Sequence, residues 1–92
     1  MRVLLVEDEA PLRETLAARL KRDGFAVDAA GDGEEGLFLG REVPCDVAII
    51  DLGLPKLSGM DLVKQLREAG QSYPILILTA RSSWQDKVQG LK

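Results

Sequence analysis

Val47-Ala48-Ile49-Ile50-Asp51-Leu52-Gly53-Leu54-Pro55 is the stretch on which the fold turns. Its first four residues are a continuous apolar run. The run is too short for a typical helix and has no polar alternation, which is the pattern of a strand buried on both faces of a parallel sheet. A carboxylate, Asp51, ends it, and a loop containing Gly53 and Pro55 follows. Two more runs of the same kind occur, Val3-Leu4-Leu5-Val6, closed by Glu7-Asp8, and Ile75-Leu76-Ile77-Leu78, closed by Thr79. Phe25-Ala26-Val27-Asp28-Ala29-Ala30 is a weaker strand, suited to an edge.

Helical periodicity fills the intervals. Leu12, Leu16 and Leu20 recur at i, i+4 and i+8, which leaves Arg13, Glu14, Arg19 and Lys21 to face water. Pro11 fits a first turn, and Asp23-Gly24 supplies a stop. Asp32-Gly33-Glu34-Glu35 reads as a capped start for a second helix that runs to about Arg41. Ser58-Gly59-Met60-Asp61 opens a third, with Leu62, Val63 and Leu66 inward and Gly70 past its end. Ser82 or Ser83 starts a fourth, carrying Trp84, Val88 and Leu91. The β-α-β-α-β-α-β-α order predicts a doubly wound α/β sandwich, with right-handed crossovers placing helices on both faces. Ile75–Leu78 is as apolar as a central strand, and the chain stops at Lys92 within the fourth helical pattern. The expectation is a C-terminal truncation that leaves a bare edge open to pairing with a second chain.

Composition narrows the function. The chain has 92 residues, which suits one domain. Its 12 Lys and Arg against 15 Asp and Glu give a net charge of −3, a poor basis for binding nucleic acid without help. There is no His, which removes His-based triads and ordinary zinc sites. The single cysteine, Cys45, forms no internal disulfide and reads as a small core hydrophobe. No apolar run approaches the ~18 residues of a membrane span, and the N-terminal run is too short for an export signal. A cytoplasmic location is expected.

The chemistry is expected at one rim. Ligands of open parallel sheets bind beyond the carboxyl ends of strands, where the winding reverses. If the first and third strands are neighbours, Glu7, Asp8 and Asp51 meet there. Their charges would repel unless a cation sits among them. An all-oxygen donor set favours a hard ion, and magnesium is the natural choice. The plainer reading of Glu7, Asp8 and Glu9 is that they cap the helix that follows. That reading is weaker for Asp51, because the next helix starts only near Ser58. Thr79 ends the last strand on the same rim, where its hydroxyl would reach a phosphoryl oxygen. Strand propensity alone also explains a threonine there.

The set Val3-Leu4-Leu5-Val6-Glu7-Asp8, Val47-Ala48-Ile49-Ile50-Asp51-Leu52-Gly53-Leu54-Pro55, Ser58-Gly59-Met60-Asp61 and Ile77-Leu78-Thr79-Ala80-Arg81 resembles the receiver domain of bacterial two-component response regulators. The Thr79-Ala80-Arg81 and Leu54-Pro55 segments look most like the OmpR/PhoB winged-helix transcription factors. The resemblance implies a flavodoxin-like, CheY-like sheet of order 2-1-3-4, with a fifth strand and fifth helix missing from residues 1–92. It implies Asp51 as phospho-acceptor and Thr79 as the switch that contacts the phosphoryl group. It implies a Mg2+ site of Asp8, Asp51 and the Gly53 carbonyl, with Glu7 acting through water or as a second acidic partner. Gly53 and Arg81 would lie where the family tunes phosphoryl lifetime. The implied partners are a sensor histidine kinase, a second copy in a homodimer, and DNA through an effector domain absent from this chain.

Three other readings compete. An aspartate-nucleophile phosphatase wants a second acid two residues after the nucleophile, where this chain has Gly53. A nucleotide or flavin module wants a glycine-rich first turn, where this chain has Glu7-Asp8-Glu9. A receiver-like domain that has lost phosphorylation is opposed by Asp8, Asp51 and Thr79 all being in place. The chain is therefore expected not to be a turnover enzyme beyond accepting and slowly losing its own phosphoryl group. A truncated receiver is also expected to be unstable alone or to form domain-swapped, switch-incompetent dimers. Sedimentation showing a compact, cooperatively melting monomer would count against that expectation.

Overall fold

The apolar runs are strands and the periodic segments between them are helices. In a computed structural model, which describes residues 1–78, the order is β1 (Arg2–Val6), α1 (Ala10–Arg22), β2 (Ala26–Ala30), α2 (Gly33–Glu42), β3 (Val47–Asp51), α3 (Gly59–Glu68) and β4 (Ile75–Leu78). The strands form one parallel sheet of order β2-β1-β3-β4. Thr79, Arg81 and the expected fourth helix lie outside the described residues.

β1 is the axis of the sheet. Val3, Leu4, Leu5 and Val6 are at most 2 % exposed, because strands lie on both sides and helices on both faces. Each such side chain contributes about 1.5–3 kcal/mol through burial. Leu4, Val6, Ala30, Ala48 and Ile50 turn to one face and meet Leu62 and Leu66 of α3 and Leu54 of the β3–α3 loop. Val3 and Leu5 turn to the other face, where α1 lies. Leu12, Leu16 and Leu20 are only half-buried there, and no α1 residue is fully buried. Among the described residues, α1 is alone on that face, so its apolar stripe is covered from beneath and not from the sides.

Local signals set the helix ends. Asp32 caps α2 by accepting the Glu35 N–H at 2.8 Å, and Ser58 caps α3 by accepting the Asp61 N–H at 3.2 Å. Gly24 and Gly70, past the ends of α1 and α3, adopt φ of 97° and 90°, the left-handed conformation that favours glycine. β4 occupies the edge of the described sheet, with Leu76 and Ile77 exposed on it.

α2 comes close to the sheet because the residues at its closest approach are glycines, with Leu37 and Leu39 packing beside them. Its buried residues are Gly33, Gly36 and Gly40. A Cβ on Gly36 would lie 2.9 Å from both Val6 methyl groups. A Cβ on Gly40 would lie 2.7 Å from Leu66 Cδ2 and 2.9 Å from the Tyr73 hydroxyl, which itself donates to the Gly40 carbonyl at 2.9 Å. Burial pushes the Tyr73 phenol up to about 12. Alanine is the better helix former by up to ~1 kcal/mol, yet the overpacking it causes typically costs about 1–3 kcal/mol. Gly40→Ala is therefore expected to lower the urea midpoint. An unchanged or higher midpoint would show that the α2–α3 seam has room to spare.

Candidate metal centre at the carboxyl ends of β1 and β3

From β1 the chain winds to β2 on one side and, by way of α2, to β3 on the other. The crevice of a parallel sheet opens at such a reversal. Val6 pairs with Ile50, so the same register extended by one residue sets Glu7 beside Asp51. Glu7, Asp8 and Asp51 each offer a carboxylate oxygen, and these oxygens lie within 4.8 Å of one another. Glu7 is 2 % exposed and Asp51 7 %, whereas Asp8 is exposed. The three acids expected at one rim are there together. Gly53 borders the same pocket, since a Cβ on it would stand 3.9 Å from Asp51 Oδ2.

The capping alternative is realised in part. Glu9 occupies the N-cap of α1 but makes no side-chain cap hydrogen bond. Glu7 Oε2 accepts the Glu9 N–H at 2.9 Å instead. Glu7 Oε1 is buried and has no hydrogen-bond partner among the described residues. A buried polar atom left unpaired is costly, so a carboxylate oxygen facing two other carboxylates calls for a cation.

Burial pushes the Glu7 carboxyl up, and the charges of Asp51 and Asp8 add to the rise. Burial does the same to Asp51, with the Asp8 charge adding and the backbone N–H groups of Gly53 and Leu52 pulling back. Among the described residues, no Lys or Arg forms an ion pair with any of the three. The site is therefore anionic, dry on the Glu7 side and open on the Asp8 side. Its oxygen-only donors fit a hard divalent cation that keeps part of its water shell, as Mg2+ does.

The loop behind Asp51 is shaped by close backbone contact. Gly59 N–H donates to the Leu52 carbonyl at 3.1 Å, and a Cβ on Gly59 would strike the Asp51 carbonyl oxygen. Gly33 N–H donates to the Pro55 carbonyl at 3.2 Å. Lys56, in a left-handed conformation with φ 70°, brings Nζ to 3.7 Å from Asp32 Oδ2. These contacts tie the loop to the start of α2. Arg13 departs from expectation: it is half-buried, and its Nη1 donates to the Glu7 carbonyl at 2.9 Å. Its only sequence signal was its place one helical turn after Glu9.

Residues 3–92 match the family model described as the response regulator receiver domain. The chain belongs to the response regulator receiver family. The receiver is 57 % identical over 91 residues to the two-component response regulator PhoP of Pseudomonas aeruginosa, covering 99 % of this chain and 40 % of that protein. It is 49 % identical over 92 residues to the transcriptional regulatory protein PhoP of Escherichia coli, covering 99 % of this chain and 41 % of that one. The chain thus spans about two-fifths of the length of the curated relatives it matches. Its fold is that of the Francisella response regulator 1452 receiver domain, with TM-score 0.84, 33 % identity, and coverage of 98 % of this chain and 74 % of that one. It is also that of the response regulator TrrA of Thermotoga maritima in complex with Mg2+ and BeF, with TM-score 0.82, 31 % identity, and coverage of 98 % and 78 %. The PhoP relatives belong to the OmpR/PhoB subfamily, as the Leu54-Pro55 and Thr79-Ala80-Arg81 segments suggested. No helix among the described residues is long and apolar enough to cross a membrane.

A carboxyl raised on folding contributes stability below its ordinary value and loses it as pH climbs through the raised one. For Glu7 and Asp51 the ordinary values are 4.5 and 3.8. Metal-free protein is therefore expected to lose thermal stability relative to Glu7→Gln as pH rises above that range, and Mg2+ is expected to close the gap. Parallel pH profiles for the two proteins would show that crowding the acids costs nothing.

Proposed function

We propose that this receiver takes a phosphoryl group onto Asp51 from a sensor histidine kinase in a Mg2+-dependent transfer. The observation that carries the reading is the convergence of Glu7, Asp8 and Asp51 around the unpartnered Glu7 Oε1. The likeness to TrrA in complex with Mg2+ and BeF supports it. Asp8, Asp51 and the Gly53 carbonyl would hold the ion, with Glu7 as a direct or water-bridged partner. When bound, magnesium neutralises the carboxylates and the incoming phosphoryl oxygens, which otherwise repel each other. Asp51 brings a carboxylate oxygen to the carboxyl end of β3 beside Asp8, so a P–O bond would form there as the donor's bond to phosphorus breaks. Buried Glu7 keeps the inner wall dry and anionic, and the exposed Asp8 side leaves room for the donor.

The product adds about −1.5 to −2 charge at the rim. Thr79 follows β4 directly in sequence, and its hydroxyl would move to that charge and report it. The response would pass to homodimerisation and, through a DNA-binding effector region, to transcription in the cytoplasm. PhoP of Escherichia coli is a transcriptional regulatory protein, which supports that output. The chain would act as a switch that slowly loses its own phosphoryl group, not as a turnover enzyme.

Mass spectrometry after treatment with a small phosphodonor and Mg2+ is expected to show one phosphoryl adduct. The adduct is expected to vanish in Asp51→Ala and on chelation of the metal. An adduct that survives Asp51→Ala would move the acceptor elsewhere. Magnesium-dependent multiple turnover of a phosphate ester would favour a phosphatase instead.

A further inference from the structure

Arg13 starts on α1, but its guanidinium turns back over the turn that carries the acids. Nη1 donates to the Glu7 carbonyl at 2.9 Å and reaches the Asp8 carbonyl at 3.5 Å. The same group lies against Gly31, just past β2, where a Cβ would stand 3.2 Å from Nη1 and 3.6 Å from Cζ. Each neighbour is itself fixed. Arg13 N–H donates to the Glu9 carbonyl at 2.8 Å, Glu7 N–H donates to the Ala30 carbonyl at 3.0 Å, and Gly31 N–H donates to Glu35 Oε1 at 3.0 Å. One side chain therefore joins α1, the β1–α1 turn and the β2–α2 turn.

The chemistry of the contact matters. Arg13 binds backbone carbonyls and makes no ion pair with the Glu7 or Asp8 carboxylates. An arginine bound to those carboxylates would compete with a cation, whereas one bound to the carbonyls puts no positive charge on a carboxylate oxygen and leaves Glu7 Oε1 bare. The two peptides it holds are those whose rotation would swing the Glu7 and Asp8 side chains away from Asp51.

We propose that Arg13 is a positioning residue for the magnesium site, clamping the Glu7-Asp8 backbone so that both carboxylates converge on Asp51. The proposal rests on reading the acidic cluster as the metal centre. Groups that orient metal ligands typically change affinity by about ten- to a hundredfold when removed.

The test uses Arg13→Met, which keeps the stem and removes the donors, Arg13→Lys, which restores one donor centre, and Gly31→Val, which pushes the guanidinium aside with Arg13 intact. Two quantities are read: the Mg2+ dissociation constant by titration calorimetry, and the metal-free amide resonances of Glu7, Asp8 and Glu9. Arg13→Met is expected to weaken Mg2+ about tenfold and to move those amides before any metal is added, with Arg13→Lys recovering part of both. Gly31→Val is expected to reproduce the Met effect, and it carries the test if Arg13→Met does not fold. Native affinity or unmoved amides in the folded variant overturn the proposal, even where the melting temperature falls, because Arg13 would then only pack α1. Failure of the unsubstituted protein to bind Mg2+ overturns the metal-centre reading itself, and Arg13's role toward the ion with it.

Discussion

Unit charges about 4 Å apart repel by about 4 kcal/mol at an effective dielectric of 20, against a total stability of about 5–15 kcal/mol for a typical domain. Glu7, Asp8 and Asp51 have their oxygens within 4.8 Å of one another, and two of the three are buried. A fold that keeps such a cluster must hold it by force from elsewhere. Here the force comes from β1 and β3, whose apolar residues lock the register that sets Glu7 beside Asp51. The raised carboxyls and the unpaired Glu7 Oε1 are the same strain seen in two ways, and a divalent cation held there would relieve both.

The turns around the cluster are braced by close backbone contacts and by two long basic side chains. Gly59 sits against the Asp51 carbonyl, Gly33 donates to Pro55, and Lys56 reaches Asp32. The loop behind Asp51 is thereby fastened to the start of α2. The Glu7-Asp8 turn is fastened on the opposite side by Arg13. Two loops held from opposite directions define a pocket whose acidic walls do not collapse together. That arrangement leaves room between the acidic walls for the ion and the phosphoryl group proposed to meet there.

Much of this was legible in the residues. The runs at 3–6, 47–50 and 75–78 are apolar without alternation, and such runs have few homes other than a parallel sheet. Asp32, Ser58, Gly24 and Gly70 are helix punctuation with a local cause. Three features were not legible. The glycines of α2 look like weak helix residues until Leu66, Tyr73 and Val6 are seen to occupy the space beside them. Leu12, Leu16 and Leu20 form a proper apolar stripe, yet periodicity does not say how much of a stripe its neighbours cover. Arg13 has the spacing of a solvent-facing residue, and only the path of the β1–α1 turn gives it two carbonyls to bind.

By itself the sequence determined the element order, the strand-end acids and the choice of oxygen donors, because these depend on residue type and short-range spacing. Tertiary structure decided which strands are neighbours, and hence that residues 7, 8 and 51 share one pocket. It also decided which Glu7 oxygen caps a helix and which is left bare. The shared pocket depends on contacts across more than 40 residues of chain, and the bare Glu7 oxygen on the burial those contacts impose, which no local pattern encodes.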